Sequence, residues 1–463
     1  MKNGKKISWK IPALSLVGLL LVVSAKSTIL PEPPGGTGTV DDRTENAFQH
    51  PFEGVDRDQR REFYVGNSFF RDAWVAAPSS TRGRDGLGPT YNSISCSGCH
   101  TLDGRGAAFT AGGKVDLSLL FRLSQLGADG KFAPLPAYGD QFNPIAIDGV
   151  EPEGDVSVDF SYVKGTYPDG TGYELRVPKF TFSNLRFGPF GSNTRVSPRV
   201  APHLAGLGLL EAVREADVLA LVDEKDANGD GISGRANYVF DRTLKQMRLG
   251  RFGWKSNQPS LRQQDAGAFV GDMGITSSVF PDQNCPAPQE KCKASPSGGV
   301  GSEHELSDQI LARVTTYTQL LAVPNRRISD PEKVAAGEAK FIEVGCAKCH
   351  NPSFVTGDHE IPLLSKQKIF PYTDLLLHDL GRELADHRPD GLANGREWRT
   401  SPLWGVGLFP TVNRHSNLMH DGRARSIEEA VLWHGGEAEV VKHAFMKLNK
   451  GEREALLEFV RSL

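Results

Sequence analysis

The chain has 463 residues, 53 Lys and Arg against 56 Asp and Glu, and a formal net charge of −3. Nothing in that balance suits a polyanion, so a nucleic-acid partner is excluded, and a 39% hydrophobic content excludes a disordered chain. The length predicts two or three domains, and 50 Gly with 29 Pro predict many turns and long loops.

Residues 1–25 read as a secretory signal peptide. Lys2, Lys5, Lys6 and Lys10 precede an apolar run from Ile11 to Val23, and Val23-Ser24-Ala25 offers a small-residue cleavage site. The run is short for a membrane span, so an exported, periplasmic protein with no stable span after cleavage is expected. No lipidation cysteine follows it. Residues 26–50, with Pro31-Glu32-Pro33-Pro34-Gly35-Gly36, read as an extended linker.

A helix is predicted around Gln59–Phe70, followed by Cys96-Ser97-Gly98-Cys99-His100. Cys-x-x-Cys-His is the pattern that attaches a c-type haem. Two thiols three positions apart reach both porphyrin vinyl groups, and the adjacent histidine lies under the iron. The pattern recurs as Cys346-Ala347-Lys348-Cys349-His350. With 6 Cys and 12 His in the chain, chance supplies roughly 0.002 copies. A zinc or redox Cys-x-x-Cys is the alternative, but neither copy has a second such pair nearby to complete a tetrahedron. Gly66-x-x-x-Phe70 and Gly337-x-x-x-Phe341 stand upstream of the two motifs in the same relative position. The chain therefore reads as an internal repeat of two cytochrome c-like units, and the predicted fold is mainly α.

Between the motifs, Asp103-Gly104-Arg105-Gly106 is a turn with an arginine suited to a haem propionate. Val156, Val158, Phe160 and Tyr162 alternate, Pro168-Asp169-Gly170 turns, and Tyr173, Leu175 and Val177 alternate again. That is a β-hairpin, read as an insertion decorating the first haem domain. Asp226, Asn228 and Asp230, then Gly231 and Ile232, match the opening of an EF-hand-type calcium loop, although position 12 is Asn237 rather than glutamate. An Asx-rich turn without metal remains the alternative. Cys285 and Cys292 are expected to form a small-loop disulfide across residues 281–302, with a reactive thiol pair as the alternative. Pro324 and Asp330-Pro331 mark the boundary between an N-terminal haem domain, 51–330, and a C-terminal cytochrome c domain, 331–463.

In the last stretch, Ser426 and Glu429 form a capping box, and Ile427, Ala430, Val431 and His434 share one face of the helix they start. His434 ends that face before Gly435-Gly436 and is the expected sixth ligand of the C-terminal haem, with Met419 and Met446 as rivals. An amphipathic helix over 450–463 closes the chain.

The chain resembles the bacterial di-haem oxidoreductase family, thiol-oxidoreductase-like or di-haem peroxidase, across about residues 50–463. The matching stretches include Asp85-Gly86-Leu87-Gly88-Pro89, Gly206-Leu207-Gly208-Leu209-Leu210-Glu211-Ala212, Arg251-Phe252-Gly253-Trp254-Lys255, and Asp272-Met273-Gly274-Ile275-Thr276. Further matches are Thr373-Asp374-Leu375-Leu376-Leu377-His378-Asp379, Glu397-Trp398-Arg399-Thr400, and His420–Arg425 through Trp433-His434-Gly435-Gly436-Glu437-Ala438. The family is in turn similar to di-haem cytochrome c peroxidases, in which the position of His434 is usually methionine. The resemblance implies two covalent haems, peroxide reduction at the N-terminal haem, and electrons relayed through the C-terminal haem from a small redox protein or quinol-linked donor. It implies a distal segment around Arg195, Arg199, His203 and Glu211. There Arg199 would polarise the O–O bond, Glu211 would shuttle a proton, and His203 could instead cap the iron. A pure electron-transfer cytochrome and an oxidase that modifies a partner protein are the competing functions. Cys285 and Cys292, the only cysteines outside the haem motifs, give the thiol label little support.

Overall fold

A computed structural model describes residues 1, 32–299 and 304–463. The expected signal peptide and the start of the linker lie outside the described residues. Pro33–Leu463 form one compact unit, and Met1–Glu32 a separate one of which residues 1 and 32 are described. In chain order the elements that position the site are α1 (Arg57–Arg71), α2 (Cys96–Cys99), β1 (Leu119–Leu126), β2 (Asp155–Thr166), β3 (Gly172–Ser183), β4 (Thr194–Val200), α3 (Leu207–Ala212), α4 (Leu261–Met273), α5 (Asp308–Leu320), α6 (Pro331–Glu343), β5 (Leu377–Asp379), β6 (Glu397–Arg399), α7 (Ile427–Trp433) and α8 (Lys450–Ser462). No helix among the described residues is long and apolar enough to cross a membrane.

Two helix crossings organise the unit. α1 packs on α5, and α6 packs on α8. Each helix start is fixed locally: Asp56 and Gln59 form a reciprocal capping box for α1, Ser307 caps α5, Asp330 with Pro331 starts α6, and Asn449 with Glu452 boxes α8. Both crossings close on a glycine. A Cβ on Gly66 would sit 2.2 Å from the Arg313 carbonyl oxygen, and one on Gly337 would sit 1.9 Å from that of Ala455. Tyr317 and Phe459 flank these contacts in equivalent places, which is the structural content of the repeated Gly-x-x-x-Phe. Gly337→Ala is therefore expected to cost about 1–3 kcal/mol by overpacking, read as a lowered melting temperature. An unchanged melt would show that the crossing has slack.

The expected mainly α fold is not what is seen. About 29% of the chain is helix and 21% strand, in a mixed architecture. Among the described residues the strands form seven separate sheets, six of two strands and one of three. Most are ladders of two to four residues in turn-rich stretches, too short to leave an alternation in the sequence. The exceptions are β1 paired with β4, and the hairpin of β2 with β3, paired antiparallel over twelve residues each.

The hairpin is more than a decoration of one domain. Along its length Val156, Val158, Phe160, Phe180 and Phe182 pack with Phe109, Phe121 and Phe142. Its tip reaches the C-terminal helices: Tyr167 Oη donates to Glu428 at 2.7 Å, Arg453 lies 4.1 Å over the Tyr167 ring, and Arg453 pairs with Asp169 at 2.6 Å. It therefore straps sequence-distant parts together. The hydrophobic core is likewise shared, since Phe354, Leu364, Leu376 and Trp404 join the cluster built around α1, α4 and α5.

Candidate functional site

Each Cys-x-x-Cys-His motif follows the first helix of a crossing and presents its histidine in the same way. Ser95 caps α2, accepting from Gly98 N at 3.2 Å, and His100 is the residue after its last turn. His100 Nδ1 donates to the Pro202 carbonyl at 2.7 Å, and His350 Nδ1 donates to the Tyr372 carbonyl at 2.9 Å. A carbonyl only accepts, so each ring is held as the Nδ1–H tautomer with Nε2 left for another partner. Burial pushes both histidines down to about 4, so they stay neutral and able to ligate. Phe70 and Phe341 lie 6.1 and 6.2 Å from their rings. Cys96, Cys99, Cys346 and Cys349 are free thiols, and burial raises the pKa of each. Two such pairs in an apolar setting suit thioether attachment.

His434 is the C-cap of α7, and its Nδ1 donates to the Ala430 carbonyl at 2.7 Å. Its Nε2 is free in the same sense, and it is close enough to His350 to bear on that residue's protonation. Met419, the rival next to His420, and Met446 are partly buried in the same core. Of the two, only Met419 lines the cavity described next.

Both motifs and His434 line one cavity of about 860 Å³. Its polar wall fits two haems. Arg105 is buried, bound to the Asn417 and Met419 carbonyls, and no carboxylate among the described residues forms an ion pair with it. Arg399 is held by the Gly253 and Thr400 carbonyls, likewise without an ion pair. Burial brings their guanidinium groups down to about 9 and about 10. Buried cations without a directly paired carboxylate are suited to anions, and propionates are suitable ones. Between them His203 is buried among Phe48 and Phe409, its Nε2 has no hydrogen-bond partner, and burial followed by Arg105, Arg399 and His100 takes it down to about 3. It follows Pro202, which tethers His100 from behind. His203 and His100 line the same cavity, and the unpartnered His203 Nε2 is the atom that a ligand to the N-terminal iron would offer.

The expected distal pair does not assemble. Arg199 lines the cavity, bound to Asp390 at 2.8 Å and Ser197 at 3.0 Å, with Asp386 4.0 Å away and its Nη2 without a hydrogen-bond partner. It belongs to a buried network with Arg388 and Lys255, whose ammonium meets Asp386 at 2.8 Å and lies 4.5 Å over the Trp398 ring. Trp398 in turn stacks on His420 with centroids 3.7 Å apart. Arg195 is at the far end of β4, bonded to the Thr194 carbonyl. Glu211 lies outside the cavity lining, where it accepts from Leu261 N at 2.8 Å at the start of α4 and from Gln319 at 2.7 Å. It is a helix-capping carboxylate.

In the acidic loop, Asp226 accepts from the Asp230 and Gly231 amides, Asn228 from the Asp230 amide, and Asp230 from the Ile232 amide. The remaining Asp230 oxygen pairs with Lys348 at 3.1 Å, and Asn237 is turned into the core onto the Lys255 and Asp390 carbonyls. The loop thus docks on the second Cys-x-x-Cys-His through Lys348. A second tie runs from Ser233 to Glu437 to His378, whose other nitrogen meets Asp374 at 2.7 Å. Burial opposes protonation of His378, yet the two carboxylates hold its pKa well above the ordinary value. Its Nδ1 is 3.7 Å from Cys349 Sγ. This buried trio had no role in the sequence reading, although it lies in the stretches that carry the family resemblance. Cys285 and Cys292 are joined as a disulfide.

If these motifs attach haem, Cys96→Ala and Cys349→Ala should each weaken attachment at one site. Haem staining after denaturing electrophoresis should persist in the parent protein, produced in a host competent for c-type maturation. A parent with no covalent haem would sink the assignment.

The family model described as "Di-haem oxidoreductase, putative peroxidase" matches residues 31–463. No curated protein matches the chain in sequence. A solved structure of Kuenenia stuttgartiensis hydrazine synthase pressurised with 20 bar xenon aligns over 98% of this chain and 100% of its own. The identity is 14% and the TM-score 0.36, too low to bear on the site.

Proposed function

The chain belongs to the di-haem oxidoreductase family, and on that premise we propose that it is an exported c-type di-haem enzyme reducing peroxide at an open N-terminal iron. Electrons reach it through the C-terminal haem from a small redox protein or quinol-linked donor.

One comparison within the chain carries this reading. α4 packs on α5 and lines the N-terminal half of the cavity, as α7 packs on α8 and lines the C-terminal half. Both helices start at a serine that caps the third amide, Ser260 on Gln263 and Ser426 on Glu429. Counted from those caps, Ala430, Val431 and His434 correspond to Gln264, Asp265 and Ala268, and all six line the cavity. Where the C-terminal chamber has an imidazole, the N-terminal one has a methyl group. That favours an open iron over the electron-transfer alternative, which needs both irons six-coordinate.

Cys96, Cys99 and His100 would hold one haem, and Cys346, Cys349, His350 and His434 the other. The bound haems supply the redox chemistry and the site where peroxide is cleaved. The protein fixes the ligand tautomers through Pro202, Tyr372 and Ala430, and offers Arg105 and Arg399 to the propionates. Its apolar walls keep bulk water from the reacting centre.

Absorption and EPR spectra of the oxidised and half-reduced protein, with and without peroxide, test the proposal. One high-spin and one low-spin haem are expected, with peroxide perturbing the high-spin one. Two low-spin haems indifferent to peroxide would hand the function to simple electron transfer.

A further inference from the structure

We propose that Asp265 is the acid–base catalyst of the N-terminal chamber, an inference that rests on the open-iron reading above. Four carboxylates line this part of the cavity, Asp140, Asp265, Asp272 and Asp282, the last exposed to solvent. Asp140 is paired with Arg122, and Asp272 accepts from the Gln141 amide at 2.8 Å beside the same arginine. Asp265 has no ion pair among the described residues, and its hydrogen-bonding partner is the Thr318 hydroxyl at 3.1 Å on α5. It sits mid-helix on α4, three residues before Ala268, so its carboxyl and the vacant ligand position share one face of the helix.

A half-buried aspartate facing a cavity from inside a helix is unfavourable on two counts, propensity and desolvation. Packing does not demand it, because the corresponding position on α7 is Val431, an apolar residue lining the other half of the cavity. Burial raises Asp265 to about 7, with the charge of Glu211 from α3 adding to the effect and the Thr318 and Thr315 hydroxyls easing it. The Cys96 thiol also feels its charge. Arg262 on α4 turns away to Asp308, and Cys96 and Cys99 would be thioethers in the holoprotein. A carboxyl poised near the working pH can both take and return a proton.

The step balances as follows. With haem in place, the Asp265 carboxylate would accept a proton from one oxygen of hydrogen peroxide. The carboxylic acid returns that proton to the other oxygen as the O–O bond breaks, and that oxygen leaves as water. Two electrons come from the donor through the haems, and two protons from solvent complete the second water.

The test uses the holoprotein and cyanide as well as peroxide. Hydrogen cyanide must lose its proton to bind ferric iron, so its binding reports the same base without turnover. The wild-type binding rate should show an inflection near pH 7. Asp265→Asn should slow cyanide binding at least tenfold and remove the inflection, and should slow the peroxide reaction by about 10²–10⁴. Asp265→Glu should restore much of both. An unchanged C-terminal haem spectrum in each variant certifies the fold. Asparagine leaving both rates and the pH profile as in wild type would overturn the proposal. An Asp265-dependent cyanide profile in a protein that does not reduce peroxide would remove the peroxidase reading and leave the base in place. A wild type that binds no cyanide would remove both.

Discussion

Ala268→His should close the N-terminal iron. The variant places an imidazole eight residues after Ser260, where His434 stands after Ser426. The N-terminal haem should pass from high-spin to low-spin, and the peroxide reaction should fall by about a thousandfold, because no site remains for the oxidant. Ala268→Leu, equally bulky but unable to ligate, should slow access while keeping the high-spin signature. Should Ala268→His bind both haems and remain high-spin, the register that relates α4 to α7 is wrong, and with it the argument for an open iron.

The second large effect concerns His434. Its Nδ1 is committed to the Ala430 carbonyl, so only Nε2 can ligate, and it shares a chamber with His350. His434→Ala should convert the C-terminal haem to high-spin. His434→Met should restore low spin and raise the potential by on the order of 100 mV, a modest part of the roughly 0.8 V that axial ligands span. A methionine-to-iron charge-transfer band in the wild-type protein, or spectra indifferent to His434→Ala, would transfer the role elsewhere. Met419 is then the first residue to examine, since it too lines the cavity.

What the sequence determined by itself is the chemistry tied to short spacing. Cys96, Cys99 and His100 lie within five positions, as do Cys346, Cys349 and His350, so the covalent geometry of the backbone alone brings each set into the spacing that attachment to one porphyrin requires. The same holds for the helix that delivers His434, where the cap at Ser426 and the apolar period set the imidazole's face before any tertiary contact forms. The cysteine pair at 285 and 292 is local in the same way. Tertiary structure decided everything that depends on which distant segments meet. Arg199 and Glu211 have the right chemistry for a distal site, but Asp390 comes from far along the chain to claim the first, and the start of α4 claims the second. The mainly α expectation failed for a related reason: two-residue ladders such as Phe354–Val355 with Lys368–Ile369 are made by docking, not by any period of their own. Asp265 and Ala268 carry no motif, since an aspartate and an alanine in a helix are ordinary residues. They acquire meaning only when α4 is laid against α5 and compared with α7 on α8. A ligand set can be written in a few adjacent letters. An open coordination position, and the group beside it, exist only in the space that packing leaves.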